Sequence, residues 1–105
     1  MKKGLCETCY GFFSTLANPT RLAILETLTK GPLNVTNIAS NLNQEQSMIS
    51  HNLKLLERCH FVVSDKRGKE KFFQNNVDTV GALFDLVTSH ATNYCDDDGD
   101  CYILE

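Results

Sequence analysis

The stretch Val35-Thr36-Asn37-Ile38-Ala39-Ser40-Asn41-Leu42-Asn43-Gln44-Glu45-Gln46-Ser47-Met48-Ile49-Ser50-His51-Asn52-Leu53-Lys54-Leu55-Leu56 decides the fold. Val35, Ile38, Ala39 and Leu42 recur at i, i+3, i+4 and i+7, which predicts a short helix from about Val35 to Asn41 with one apolar face. Asn43-Gln44-Glu45 interrupts that pattern, and Ile49, Leu53 and Leu56 resume it. The second run predicts a helix to about Cys59 with those three residues inward. Helix, tight turn, helix is the result.

Reading downstream, Phe61-Val62-Val63 and Phe72-Phe73 are apolar β-formers that flank Asp65-Lys66-Arg67-Gly68-Lys69. Gly68 is free to take a positive φ, so the segment predicts a β-hairpin with a basic tip. Val80, Leu83, Phe84, Val87 and Ala91 predict a last helix from about Val77 to Thr92, followed by the charged turn Asp96-Asp97-Asp98-Gly99-Asp100. Upstream, Leu5, Phe12, Phe13 and Leu16 sit at helical spacing. Asn18-Pro19-Thr20 then supplies an N-cap with proline just inside another helix, which is expected to bury Leu22, Leu25 and Leu28 and to stop at Lys30-Gly31-Pro32. The expected fold is therefore mainly α with a β-hairpin, in the order α-α-α-α-β-β-α, a winged helix-turn-helix. Residues 1–105 are read as one such domain with short cysteine-bearing extensions at both ends, since a chain of 105 residues supports one compact core.

The formal net charge is −3, but the charge is segregated along the chain. Residues 1–75 hold all ten Lys and Arg against six acids, a balance of +4, whereas residues 76–105 hold seven acids and neither Lys nor Arg. Six of the cations fall in one stretch, at Lys54, Arg58, Lys66, Arg67, Lys69 and Lys71, which is the local basic surface that phosphate binding needs. No apolar run is long enough for a membrane span, and Met1-Lys2-Lys3 does not open a signal peptide, so a cytoplasmic protein without a membrane partner is expected. Five cysteines in such a compartment read as thiols or metal ligands rather than bridges. An enzyme is disfavoured. Cys6-Glu7-Thr8-Cys9 lacks the βαβ context of a dithiol oxidoreductase, and Ser50 and His51, adjacent on a helix, point about 100° apart and cannot form a nucleophile–base pair.

In a winged helix the second helix of the pair enters the major groove while the hairpin reaches flanking phosphate or minor groove. With Ile49, Leu53 and Leu56 inward, Gln46, Ser47, Ser50, His51 and Lys54 remain for the groove side, and Asn52 is placed with them as a reader. Gln and Asn suit paired hydrogen bonds to adenine, Ser and His single ones, and Lys guanine or phosphate. Lys66, Arg67 and Lys69 at the hairpin tip are expected to anchor the protein without reading sequence. The partner is double-stranded operator DNA, bound by a dimer because one short helix reads too few bases.

Leu16-Ala17-Asn18-Pro19-Thr20-Arg21-Leu22-Ala23-Ile24-Leu25 and Ile49-Ser50-His51-Asn52-Leu53-Lys54-Leu55-Leu56 resemble the ArsR/SmtB family of metal-sensing repressors over residues 12–90. The chain departs from the family at Asn52, where a histidine is frequent. The resemblance implies a homodimer in which the first and last helices pack together, and an inducer ion that releases the operator. It also implies several alternative ligand positions. The cysteine-rich one of arsenic sensors is Leu33-Asn34-Val35-Thr36 here, without a thiol, and the last-helix ligands of zinc and cobalt sensors look replaced by Asn76, Asp78, Ser89 and Thr92. Cys6 and Cys9 at the start of the first helix and Cys95 and Cys101 around the acidic turn are then the expected inducer site. Four thiolates suit zinc, cadmium, lead or an iron–sulfur cluster, and three suit a trivalent arsenical. Cadmium- and lead-sensing relatives use a cysteine near Cys59, which makes Cys59 a reserve ligand beside its simpler reading as buried packing. A thiol-based redox or persulfide response, and a structural metal, are the alternatives. Asp96 to Asp100 is read as a solvated turn, since an EF-hand loop needs twelve residues between two helices.

Overall fold

The structure is a computed structural model and describes residues 2–100. They fall into two compact units that meet between Asn75 and Asn76, and each is described by itself.

The first unit contains α1 (Leu5–Leu16), α2 (Pro19–Thr27) continued by a 3-10 turn (Leu28–Lys30), β1 (Leu33–Asn34), α3 (Val35–Leu42), α4 (Gln46–Arg58), β2 (Val62–Arg67) and β3 (Glu70–Asn75). Local chemistry sets the boundaries. The Asn18 side chain accepts the Arg21 N–H at 3.1 Å with Pro19 in the first turn, and Asn34 caps α3 through the Asn37 N–H at 2.8 Å. At the end of α3, Asn43 takes the left-handed conformation (φ 53°), and its N–H and that of Gln44 bond the Ser40 and Ala39 carbonyls. His60 does the same after α4 (φ 64°): the His60 N–H bonds the Glu57 carbonyl and the Phe61 N–H that of Leu56. This turn delivers Phe61 into the core and starts the hairpin.

Ile24, Leu25, Ile38, Ile49, Leu53, Leu56 and Val62 are fully buried in this unit, each burial worth about 1.5 to 3 kcal/mol. Leu22 differs from expectation and is exposed. At about 100° per residue it falls roughly 110° from the centre of the stripe made by Ile24, Leu25 and Leu28. The sheet is antiparallel in the order β1-β3-β2. Two residues of β1 are too few to show an alternating pattern, which is why the sequence gives no sign of a third strand. β2 and β3 join through Gly68 (φ 65°) and Lys69, so pairing continues to Arg67 and Glu70.

In the second unit a π-type turn (Val77–Gly81) leads into α5 (Ala82–Tyr94). Val80 is buried as expected, whereas Val87 is exposed, together with Leu86 and Tyr94. After α5, one Asp96 carboxylate oxygen accepts the N–H groups of Asp98 and Asp100 at 3.0 and 2.8 Å, which closes the acidic turn on itself. Among the described residues no helix is long and apolar enough to cross a membrane.

Candidate nucleic-acid interface

The helix-turn-helix is α3, the turn around Asn43, and α4. Ile49, Leu53 and Leu56 bury one side of α4 against the helices beneath, so its opposite side is free. Gln46, Ser47, Ser50, His51 and Lys54 are all exposed there. Ser47, His51 and Lys54 form a stripe at i, i+4 and i+7, and the spacing continues to the exposed Arg58 at i+11. Arg58 was not among the expected readers because it follows the last apolar mark of the helix.

Asn52 corrects the sequence reading. It is 8% exposed and faces inward. Its Oδ1 accepts from Arg21 Nε at 3.1 Å, and its Nδ2 donates to the Met48 carbonyl at 3.0 Å. Arg21 also donates through Nη1 to the Thr15 carbonyl at 2.9 Å. One guanidinium therefore joins the end of α1, the start of α2 and the middle of α4. The Asn52 amide is committed inside the protein and is not offered to bases.

Lys66, Arg67 and Lys69 are exposed together at the hairpin tip. Arg67 lies 5.0 Å from the Phe72 ring centroid and 3.2 Å from an Asp65 carboxylate oxygen, which restrains its direction. At the root of the hairpin, Glu57 of α4 accepts the Ser64 hydroxyl and stands 3.4 Å from Lys71 Nζ. The Ser64 bond, helped by the Lys71 charge, holds the Glu57 carboxyl below its ordinary range against a smaller opposing effect of burial. Glu57, Ser64 and Lys71 carry no signal as a set in the sequence, because only the register of the hairpin brings them together.

This frame is shared with known proteins. The model for bacterial regulatory proteins of the arsR family matches residues 18–64. The nodulation protein NolR of Rhizobium meliloti is 32% identical over 84 residues, 76% of this chain and 69% of that protein. The chain belongs to the ArsR family. The transcriptional regulator NmtR of Mycobacterium tuberculosis is 38% identical over 72% of this chain, and the match spans 63% of the length of NmtR. A homodimeric winged helix-turn-helix DNA-binding domain of Mycobacterium bovis superimposes with a TM-score of 0.77 at 27% identity, over 88% of this chain and 85% of its own. The family is one of regulatory proteins, in line with the reading of a regulator rather than an enzyme.

Within that ArsR frame, the thiols of the first unit are Cys6 and Cys9 on α1 and Cys59 at the end of α4. Cys6 and Cys9 share one side of α1 with Tyr10 and Phe13 around a shallow apolar depression. Leu5, Tyr10 and Phe13 on this helix are exposed. Cys59 corrects the packing reading: it caps the end of α4 and is exposed, since the helix turns away through His60 before the buried Phe61. Cys95 is half-buried at the end of α5, and Cys101 lies outside the described residues. Among the described residues of either unit taken alone, no three Cys, His, Asp or Glu side chains gather as a metal site.

Proposed function

We propose that this ArsR-family chain is a homodimeric transcriptional repressor that binds a two-fold operator through α4 and the wing and leaves it when a thiophilic ion is held by cysteine thiolates. The observation that carries the DNA reading is the exposed stripe Ser47, His51, Lys54 and Arg58 beside a hairpin with three exposed cations at its tip. Side chains of these types suit base edges and phosphates respectively. The exposed apolar strip Leu5, Tyr10 and Phe13 on α1 supports dimerisation, and two-fold symmetry doubles the number of bases read.

For the inducer, Cys6 and Cys9 offer two soft donors one turn apart on an exposed helix, a set that fits zinc, cadmium, lead or arsenite better than hard cations. A complete site needs further donors, for which Cys95 and Cys101 are proposed, with Cys59 in reserve. Ion binding releases the operator only if the form that does not bind DNA holds the ion more tightly, a coupling of typically 1 to 3 kcal/mol. The same pair on α1, Cys6 exposed and Cys9 half-buried, also suits a thiol redox response, which would change operator affinity on oxidation without metal.

The test is selection of bound sequences from random duplex DNA, followed by titration of the selected site with cadmium, lead, zinc or arsenite under anaerobic conditions. The reading expects an inverted repeat with half-sites about one helical turn or a small multiple apart, and loss of binding on ion addition. An asymmetric site bound by a monomer overturns the dimer reading. Release on oxidation alone replaces the ion by the redox signal.

A further inference from the structure

The junction between α4 and the wing holds a carboxylate that belongs neither to the core nor to the outward stripe. Glu57 reaches both strands of the hairpin at once: one oxygen accepts the Ser64 hydroxyl of β2, and the other stands 3.4 Å from Lys71 Nζ of β3. The register explains why this point matters. β1 pairs with Phe72 and Phe73 only, so beyond Asp65 and Phe72 the outer wing runs on toward Gly68 as a two-stranded ribbon, tied back to β1 by Asn34 Nδ2, which donates to Glu70 at 3.3 Å. Such ribbons are marginal and twist readily without further support. Lys66 and Lys71 are direct cross-strand partners, and like charges so placed weaken the pair unless an opposite charge offsets them. The carboxylate beside Lys71 does so. A negative group next to a phosphate-binding surface otherwise works against binding, so its position calls for a compensating role.

We propose that Glu57 is a positioning residue for DNA binding: by holding Ser64 and Lys71 together it fixes the angle at which the basic wing leaves α4, so that Lys66, Arg67 and Lys69 meet phosphate while α4 lies in the groove. This rests on the DNA-binding reading above. Glu57 touches no DNA in this scheme and acts through the wing.

The test measures the salt dependence of binding to the selected duplex for the wild type, Glu57→Gln, Ser64→Ala and a wing variant with Lys66→Ala, Arg67→Ala and Lys69→Ala. Each phosphate contact contributes about 0.9 to the slope of log K against log salt, so losing the wing lowers the slope by roughly 2 to 3 per protomer, about 5 for a dimer that loses both. Glu57→Gln is expected to move most of the way to the wing variant, to bind about tenfold or more weakly at 50 mM salt with a gap that narrows as salt rises, and to become insensitive to trimming of the flanking duplex. Ser64→Ala moves in the same direction while leaving the charge in place, which serves if Glu57→Gln folds poorly. Added to the wing variant, Glu57→Gln has no further effect on the slope. Tighter binding by Glu57→Gln with an unchanged or steeper slope overturns the proposal, because the carboxylate is then only a repelling charge. A fall in thermal stability with an unchanged slope overturns it as well. Salt-dependent binding by the wild type is the separate check on the DNA reading; its absence removes both.

Discussion

Replacing Asn52 by alanine separates two roles that assign this residue to opposite sides of α4. In the structure the amide accepts from Arg21 Nε at 3.1 Å and donates to the Met48 carbonyl at 3.0 Å, at 8% exposure. A hydrogen bond to a charged donor is worth about 1.5 to 3 kcal/mol, and leaving that donor half-buried without a partner costs in the same range. The second bond adds little, since a helix carbonyl already serves its own turn. Asn52→Ala is therefore expected to lower unfolding stability by about 2 to 3 kcal/mol, and the melting temperature by roughly 10 °C for a domain of this size. Urea denaturation with an unchanged m-value is the assay. A double-mutant cycle with Arg21→Met is expected to return a coupling above about 1 kcal/mol. A reader of bases behaves in the opposite way: stability within about 0.5 kcal/mol of the wild type, and discrimination at one base pair reduced by about 1 to 3 kcal/mol. That second pattern would refute the inward placement of Asn52.

Four further outcomes are expected. Ser50→Ala or His51→Ala relaxes preference at particular base pairs by about 1 to 3 kcal/mol, whereas Lys66→Ala or Arg67→Ala weakens binding to all sequences alike; base preferences resolved by competition binding check this. Asn43→Val destabilises by about 1 to 2 kcal/mol because a β-branched residue is strained at φ 53°, while Asn43→Gly is close to neutral, as chemical denaturation will show. Serine at Cys6 or Cys9 lowers the affinity for cadmium or lead, read from the thiolate charge-transfer absorption, and spares DNA binding by the ion-free protein; ion binding also weakens as pH falls, because each thiol must lose its proton. The folded-state pKa of Glu57 lies below its ordinary value, so its stabilising effect is present above that value and is lost as pH falls through the folded pKa. The stability difference between the wild type and Glu57→Gln accordingly shrinks in acid, and a difference that grows on acidification contradicts the assignment.

How much of this was legible in the sequence differs by kind of information. Apolar periodicity is local, so Ile38 and Ala39 on α3 and Ile49, Leu53 and Leu56 on α4 could be placed inward from spacing alone, and the Asn18-Pro19 cap could be read from two residues. The hairpin followed from β-formers and Gly68. Asn52 was misplaced because it lies one residue before Leu53, at the edge of the buried stripe, and spacing does not tell a polar residue that reads bases from one that bonds Arg21. That distinction depends on a partner 31 residues away. Cys59 was open to a buried reading for a similar reason, since cysteine is apolar enough for the core and only the left-handed turn at His60 leaves it outside. Glu57, Ser64 and Lys71 were invisible as a group, because their meeting depends on strand register.

The apolar contacts under α4 hold it in place but are not directional, so by themselves they leave its rotation about its own axis weakly defined. The exposed stripe lies roughly 160° around the helix from the buried one, so a rotation of one residue, about 100°, would already carry it more than halfway toward the core. The two polar joints act against smaller errors of the same kind. Arg21 and Asn52 fix the middle of α4 against the start of α2 and the end of α1, and Glu57 fixes its far end against both strands of the wing. Each bond has a narrow range of distance and angle, so together they set rotation and wing angle more tightly than burial does. Neither joint uses Ser47, Ser50, His51 or Lys54. The residues assigned to reading DNA are thereby relieved of holding the fold, and substitutions among them are free to alter base preference at little cost in stability.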